Sequence, residues 1–280
     1  MTTTAQAPPS HCEGCPSCSA RTLGICAPWT VEEMGMLSGI KGTRRVVAAA
    51  TDIYHQGEPC PNYLVVVDGW VGTRTMLGDG SWHMPDFALP GALLGVQSVS
   101  GSAMTHSAIC LTAVTVCPLP RHRLDDLVAT NPQLALRLAH LAACREARLQ
   151  DHFVNVSGRG ARERVAHLLM ELFHRIRHRP PVSGDSVQLP LTLAHMGEAL
   201  NLTEVHVSRM LGILRVQEVA HFFRHRLEIL DAAAFTRAAG FGEDTGIFED
   251  EVAAPAPLKT AAAVVRPNAN HPFRVQATQR

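Results

Sequence analysis

The chain changes character at about residue 120, and this change limits the folds that it can adopt. Between Val46 and Pro120, short β-branched and aromatic runs alternate with turn signals such as Asp68-Gly69 and Pro90-Gly91. Short strands at such spacing are typical of a β-roll or barrel. From Pro132 to Val156 there is no internal Gly or Pro, which favours one long helix. The sequence therefore predicts an α+β protein, with strands that include Tyr63 to Val67, Trp70 to Thr75 and Ala108 to Val116.

The long helix carries an apolar stripe that continues to Phe153 at roughly helical spacing. Such a stripe either packs inside one chain or forms a seam between two chains. We favour the seam, because a long connector between two domains has little else to bury against. The predicted homodimer interface comprises Leu134, Leu138, Leu141, Arg145 and Leu149.

Composition restricts the class of protein. With 25 basic and 25 acidic side chains, the whole-chain charge argues neither for nor against a nucleic-acid partner. No run approaches the ~20 apolar residues of a membrane helix, and the N-terminus lacks the pattern of a signal peptide. We expect a cytoplasmic protein without a membrane partner. No catalytic triad, carboxylate pair or phosphate-binding loop is evident, so no enzyme activity is predicted.

The segment from Thr192 to Arg215 predicts two short helices joined by a tight turn. Thr192 can cap a helix that ends near Leu200, Asn201 suits a left-handed turn, and Thr203 can cap the second helix. The alternative is a helical hairpin with solvated charges. We favour a helix-turn-helix, whose second helix enters the major groove of DNA. The candidate DNA contacts are Thr203, His206, Ser208, Arg209 and Arg215.

A possible wing follows these helices. The stretch His221 to Ile229 resembles a two-stranded ribbon, and Arg224 and Arg226 are placed to meet phosphates.

Together, these patterns divide the chain into five predicted segments. They are a Cys-rich segment at residues 1–30, a β-roll sensor domain at 31–122, a dimerisation helix at 123–157, a winged helix-turn-helix domain at 158–235 and a flexible tail at 236–280.

Eight cysteines need an explanation in a chain expected to occupy a reducing compartment. Cys15, Cys18 and Cys26 can present three thiolates to one centre, and a distant cysteine is needed to complete a cubane iron–sulfur cluster. Cys110 and Cys117 are the candidates, and at most one of them points at the centre if they share an unbroken strand. A zinc site, a thiol switch and the use of Cys12 as a ligand stay open, while the isolated Cys60 and Cys144 are interpreted as core or surface residues.

These parts together resemble the CRP/FNR family, and within it the oxygen sensors of the FNR type, over roughly residues 12–235. Cys26-Ala27-Pro28-Trp29-Thr30 resembles the third N-terminal ligand and the entry to the sensor domain. Val116-Cys117-Pro118-Leu119-Pro120 resembles the segment that carries the fourth ligand, and Val207-Ser208-Arg209-Met210-Leu211 resembles the recognition core. The resemblance implies a [4Fe-4S] cluster on Cys15, Cys18, Cys26 and Cys117.

The resemblance also implies a fold and partners. The expected fold is an N-terminal cyclic-nucleotide-binding-like β-roll, a long dimerisation helix and a C-terminal winged helix-turn-helix. The expected partners are a second copy of the chain, double-stranded DNA with a near-palindromic site, and RNA polymerase. Oxygen is the implied signal. Nitric oxide, haem, or zinc and thiol chemistry are alternative inputs, and an iron–sulfur electron carrier is the alternative class.

Three departures from the family pattern change these expectations. Ala92 to Ser107 contains neither the Glu nor the Arg that hold a cyclic nucleotide in relatives, so no cyclic nucleotide is expected. Val205 stands where many members have a Glu that accepts a hydrogen bond from cytosine, so the half-site should differ. Glu218 stands where a turn glycine is common, which leaves the geometry of the wing open.

Overall fold

The computed structural model describes residues 15–27, 31–97, 103–177 and 185–241. Cys12, Pro28 to Thr30 of the entry motif, and the tail from residue 242 onwards lie outside these ranges. So does part of the segment from Ala92 to Ser107. Within the described ranges the order is a β-rich N-terminal part, two consecutive helices, and a smaller domain of helices with a three-stranded sheet.

The N-terminal part is a β-roll, preceded by a 3₁₀ turn at Gly24–Cys26 and helix α1 (Val31–Ile40). The strands are β1 (Arg45–Val47), β2 (Asp52–Tyr54), β3 (Asn62–Asp68), β4 (Val71–Met76), β5 (Trp82–Ala88), β6 (Leu93–Leu94), β7 (Ser107–Cys110) and β8 (Val114–Pro120). They form two four-stranded sheets, ordered β1-β8-β3-β6 and β2-β7-β4-β5, with antiparallel pairing throughout. This confirms the predicted roll.

One strand prediction was wrong. The run from Ala108 to Val116 is divided between β7 and β8 by a turn at residues 111–113. The turn is held in place because Leu111 N donates to Trp70 O at 2.8 Å and Thr112 Oγ1 accepts from Trp70 N at 3.0 Å. β7 and β8 consequently belong to different sheets.

The connecting segment is two helices rather than one, α2 (Arg121–Thr130) and α3 (Pro132–Gly158). The break in the segment predicted as one helix at 123–157 lies at Asn131, whose side chain accepts a hydrogen bond from Leu134 N at 3.1 Å. Pro132 follows at the first helical position, where its missing N–H costs nothing. Asn131 therefore caps a new helix of 27 residues, about 40 Å long.

The C-terminal domain confirms the predicted winged helix-turn-helix. Its sheet has the order β10-β11-β9, so a strand that was not predicted extends the wing. The first residues of the predicted tail belong to this domain, because α7 reaches Ala238 and Ala239 is fully buried. The elements are α4 (Ala161–Arg177), β9 (Ser186–Gln188), α5 (Leu193–Leu200), α6 (Glu204–Val216), β10 (Ala220–Phe223), β11 (Arg226–Ile229) and α7 (Ala232–Ala238).

The roll and the C-terminal domain share a hydrophobic core. Met84 and Phe87 of β5 pack in the same buried cluster as the apolar faces of α4, α5 and α6. Arg175 of α4 also donates to Phe87 O at 2.6 Å. Strand β5 is therefore the element through which the roll contacts the helix-turn-helix. None of the described helices has the length and apolar surface that a bilayer span requires.

Candidate cysteine centre and DNA-reading surface

The four predicted ligand cysteines line one cavity between the N-terminal segment and the roll. Cys15, Cys18 and Cys26 come from the segment, and Cys117 comes from β8. Among the described His, Cys, Asp and Glu side chains, no three are arranged around the position of a single metal ion. The thiols therefore border a shared space instead of converging on one point. The other lining residues are Arg21, Met34, Leu37, Arg44 and Val67.

The cysteine segment is fixed on the roll and on α3. Arg137 of α3 is buried and donates from Nε to Gly24 O at 2.8 Å. Gly24 has a φ of +51°, and a Cβ there would clash with Gly91 O. Ser19 Oγ adds a hydrogen bond to Val67 O at 3.2 Å. A glycine is thus required where the segment meets the roll, and α3 binds the backbone two residues before Cys26.

The structure distinguishes the two strand cysteines. Cys117 is buried in the cluster that contains Ala20 and Ile25 of the cysteine segment. Cys110 is buried in the separate core between the two sheets. The spacing of the cysteines alone left both Cys110 and Cys117 as candidate ligands. The turn between β7 and β8 places the two residues in different cores. Among the isolated cysteines, Cys60 Sγ donates to Asn62 O at 3.0 Å and Cys144 contacts His140 at 3.5 Å, within the roll and α3 respectively.

Burial and the neighbouring thiols make Cys26 and Cys117 hard to ionise without a positive charge nearby. Burial, together with the neighbouring Cys18, Cys117 and Cys15, raises the pKa of Cys26 to about 12, against the opposing effect of Arg44. Burial also raises the pKa of Cys117, against the opposing effect of the Arg44 guanidinium. A sulfur-only donor set of this kind suits a thiophilic centre that brings its own positive charge, such as zinc or an iron–sulfur cluster.

The helix-turn-helix forms through local hydrogen bonds that the sequence predicts. Thr192 Oγ1 accepts from His195 N at 3.1 Å, and His195 Nδ1 accepts from Thr192 N at 3.3 Å, which closes a capping box on α5. Asn201 adopts the left-handed conformation with φ 53°. Thr203 Oγ1 caps α6 by accepting from His206 N at 3.2 Å. The role of Gly197 was not identified from the sequence. A Cβ at this position would lie 2.6 Å from Leu202 O and block the turn.

Helix α6 presents one outward face. Ser208, Arg209 and Arg215 are exposed on it, whereas Val207, Met210 and Leu214 are buried on the opposite face. Thr203 is exposed before the first turn, and His206 is half-buried at the edge of the face. Val205 lies on the exposed face, where 74% of its surface is accessible. The predicted contacts therefore share one accessible surface with Val205.

The wing is a hairpin with residues of positive φ at its turns. Arg224 and His225 connect β10 to β11 with φ values of 49° and 63°. Arg224 is exposed at the tip, whereas Arg226 Nε donates to Ser186 Oγ of β9 at 2.6 Å. Glu218 has a φ of 55°, which explains why a glycine suits that turn. The wing forms in spite of this departure, and of the two predicted phosphate contacts Arg224 is the one at its tip.

Two domain matches account for these parts. Residues 44–131 match the cyclic nucleotide-binding domain, and residues 163–238 match the Crp-like helix-turn-helix domain. The chain belongs to the CRP/FNR family of transcription regulators. The transcriptional activator protein Anr of Pseudomonas aeruginosa is 28% identical over 83% of this chain and 94% of its own length. The fumarate and nitrate reduction regulatory protein of Vibrio cholerae is 25% identical over 84% of this chain and 92% of its own.

A solved structure agrees with the fold of this CRP/FNR regulator. FixK2 from Bradyrhizobium japonicum superposes with a TM-score of 0.64 at 25% identity, over 70% of this chain and 96% of the other. The relatives are transcription regulators, and the chain is a DNA-binding regulator rather than an enzyme.

The leucine stripe of α3 faces the regulator's own roll. Leu134 is buried in the cluster that contains Cys117, with Leu138 and Leu141 packed against that cluster. Arg145 binds Asp86 of β5 at 3.0 Å, and Leu149 lines a cavity shared with the roll. The premise that the helix has little else to bury against was therefore wrong, because β-roll residues cover this face. The dimer seam stays a prediction, and the large apolar residues exposed on α3 are Leu136, Phe153 and Val154.

A cavity of about 270 Å³ lies between the roll and α3 of the CRP/FNR regulator. The two cations of its described lining, Arg145 and Arg148, form ion pairs with Asp86 at 3.0 and 3.8 Å. These cations are thus already compensated by a carboxylate inside the chain. The expectation that no cyclic nucleotide binds stays a prediction, and this arrangement agrees with it.

Sequence reasoning missed the buried charged cluster around Asp86. Its carboxylate faces Arg145 and Arg148 of α3 and Arg175 of α4, and Arg175 also pairs with Glu171 at 3.1 Å. The members are separated by up to 89 positions, as in the pair Asp86 and Arg175. No local pattern relates them, so no signal in the sequence could have found the cluster.

Proposed function

We propose that this CRP/FNR regulator responds to oxygen through a [4Fe-4S] cluster held by Cys15, Cys18, Cys26 and Cys117. As a homodimer it would bind a near-palindromic DNA site, and contact with RNA polymerase is an expectation of the same proposal. The observation that carries it is the cavity lined by these four cysteines, three from the N-terminal segment and one from the roll. This is the set that the family resemblance implied.

The donor set fits a cluster. Its four sulfur donors border one shared space, and a cubane is held by four thiolates. The residues around them are apolar or cationic: Arg21, Met34, Leu37, Arg44 and Val67. A cluster supplies an oxygen-sensitive centre with positive iron ions, which favours ionised thiols at a buried site.

The chain's own contacts suggest how the signal would reach the long helix. Arg137 links the backbone of Gly24 to α3, and Gly24 packs directly on Gly91 of the roll. A segment tied down through its cysteines would hold these contacts in place. A released segment would leave Arg137 buried without its carbonyl acceptor, which is costly. The packing of α3 is therefore the element that the state of the cysteines would bias.

The same helix carries a candidate surface for a second copy of the chain. Leu136, Phe153 and Val154 are large apolar residues exposed on α3. Burial of such residues between two copies is favourable. A dimer about this helix would set two α6 helices about one DNA turn apart, which matches a near-palindrome.

The first experiment tests the cluster. We would purify the protein without oxygen and measure iron, sulfide and absorbance, then repeat these and the dimer mass after admitting air. The proposal expects about four irons per chain, lost or converted in air together with dimer dissociation. A colourless protein with bound zinc, or one without metal and with an unchanged dimer, would overturn the proposed signal.

A pair of variants tests the ligand assignment. Cys117→Ser should abolish iron binding and dimerisation, because Cys117 lines the cavity. Cys110→Ser is the matched control, since Cys110 is also a buried strand cysteine but packs in the other core. Equal iron contents in the two variants would reject Cys117 as the fourth ligand.

A second pair tests the DNA surface. Arg209→Ala removes an exposed guanidinium from α6, and Arg237→Ala removes one from α7. Fluorescence anisotropy with a selected duplex should show a loss of about tenfold or more for Arg209→Ala, as expected for one base contact. Arg237→Ala should bind like the wild type. Equal affinities would remove Arg209 from the recognition surface.

A further inference from the structure

We infer that Arg44 is a positioning residue for the cysteine centre, where its guanidinium compensates the negative charge of the thiolates and sets how readily oxygen attacks the bound cluster. This inference rests on the proposed function. It assigns a role to a residue outside the ligand set and outside the motifs that the family resemblance identified.

The first support is the position of Arg44. It precedes β1, is half-buried, and lines the cavity together with all four cysteines. In this cavity Arg44 shares one space with Cys117 of the roll and with Cys26 of the N-terminal segment. Arg44 therefore reaches both a roll cysteine and a segment cysteine.

The second support is the charge balance of the cavity. Among the residues that the structure describes, its lining contains two cations, Arg21 and Arg44, and no carboxylate. Arg21 belongs to the cysteine segment itself, and its Nη1 contacts Pro16 O at 3.4 Å in an exposed position. Arg44 instead belongs to the roll, so its charge stays beside Cys117 even if the N-terminal cysteine segment is released.

The chemical consequence follows from electrostatics. A cluster with four thiolate ligands carries a net negative charge, and its reduction potential depends on net charge and on hydrogen bonds to sulfur. A guanidinium beside the ligand sulfurs favours the more negative, reduced state. Its removal lowers the potential, and electron transfer from the centre to dioxygen becomes easier.

Three variants test this. Arg44→Gln removes the charge, Arg44→Lys keeps the charge without the planar fork of donors, and Arg45→Gln is the control because Arg45 is exposed on the neighbouring position of β1. The readouts are the midpoint potential from an anaerobic redox titration and the rate at which the cluster absorbance is lost in air. Iron content and thermal unfolding of the metal-free protein are measured alongside.

We expect Arg44→Gln to shift the equilibrium constant for reduction by about tenfold, which is about 59 mV for one electron, towards lower potential. Its absorbance should be lost several-fold faster in air, with Arg44→Lys in between and Arg45→Gln like the wild type. Failure of Arg44→Gln to hold iron, with normal unfolding and with iron restored in Arg44→Lys, also supports the role of the charge.

Other outcomes overturn the inference. If Arg44→Gln holds iron with wild-type potential and wild-type decay, Arg44 has no such role, although the proposed function survives. The same conclusion follows if Arg45→Gln changes both readouts as much as Arg44→Gln. If the wild-type protein itself binds no iron, the proposed function fails, and the inference fails with it.

Discussion

Arg145 of α3 donates from Nε to Oδ2 of Asp86 in β5 at a distance of 3.0 Å. Asp86 is buried, and the same carboxylate lies 3.8 Å from both Arg148 of α3 and Arg175 of α4. Arg175 in turn donates to Phe87 O at 2.6 Å. One carboxylate therefore joins the β-roll, the connecting helix and the DNA-binding domain.

The variant Asp86→Asn should destabilise the protein strongly. Removal of this charge leaves three buried or half-buried guanidinium groups without their shared partner. The loss of one member of a buried ion pair typically costs about 3–5 kcal/mol. We expect a loss of this size in the free energy of unfolding at neutral pH, measured by urea denaturation, and a weaker coupling between the roll and the DNA-binding domain.

The pH dependence of this effect has a definite sign. Burial alone would raise the pKa of Asp86, but Arg148, Arg145 and Arg175 outweigh it and hold the pKa well below its ordinary value. Such a carboxyl stabilises the folded state above its unfolded pKa of about 4 and loses that contribution as the pH falls further. The difference between wild type and Asp86→Asn should therefore shrink below about pH 4. Glu171 has the opposite effect on the pH dependence of stability. Because burial raises its pKa, protonation of Glu171 at low pH stabilises the folded state.

The control for this variant is Asp52→Asn. Asp52 pairs with Arg74 at 3.1 Å, but both residues belong to the roll and are less buried. Partly exposed pairs contribute about 0–1 kcal/mol. An equal loss in both variants would mean that the Asp86 cluster has no special role between the domains.

Gly24→Ala should loosen the cysteine segment from the roll. A non-glycine residue at its φ of +51° is strained by about 1–2 kcal/mol, and the new Cβ would also clash with Gly91 O. Trypsin cleavage after Arg21 should become at least about tenfold faster, and the iron content should fall. Gly35→Ala on α1 is the control, because its Cβ would meet nothing within 4 Å. Equal cleavage in both variants would show that close packing at Gly24 does not hold the segment.

The sequence predicts best where structure depends on neighbouring residues. The caps at Thr192 and Thr203 and the left-handed Asn201 are local, and all three were confirmed. The apolar stripe of α3 is different, because periodicity identifies a face without stating what covers it. Leu134 packs on the same chain's roll, whereas Phe153 at the end of the stripe is exposed, and the dimer seam stays a prediction.

Contacts between residues that are distant in the sequence could not be predicted from local patterns. The separation of Cys110 from Cys117 depends on a turn whose main anchor is Trp70, about 40 positions earlier in the chain. The Asp86 cluster depends on three elements that meet only after folding. The family resemblance supplied Cys117, and the structure places it in one cavity with Cys15, Cys18 and Cys26.

Phe153→Glu should weaken the proposed dimer. Phe153 is 69% exposed on α3, so its side chain contributes little to the fold of one chain. A charge buried between two copies is costly, and we expect the dimer dissociation constant to rise by at least about tenfold. Analytical ultracentrifugation of the anaerobic protein measures this. Met76→Glu on the β4 strand is the control, and a dimer equally tight in both variants would place the interface elsewhere.

Val205→Glu should change which half-site the regulator prefers. Val205 is exposed at the start of α6 and cannot accept a hydrogen bond, whereas a glutamate there can accept one from cytosine N4. A duplex library with randomised half-sites should reveal a new preference for cytosine at one position, of about tenfold. Val216→Glu is the control, because Val216 is 78% exposed at the far end of the helix. Its added charge should weaken binding to all sequences evenly through phosphate repulsion. If Val205→Glu also weakens all sequences evenly, the first turn of α6 does not contact base edges, and the docking expected for this helix is wrong.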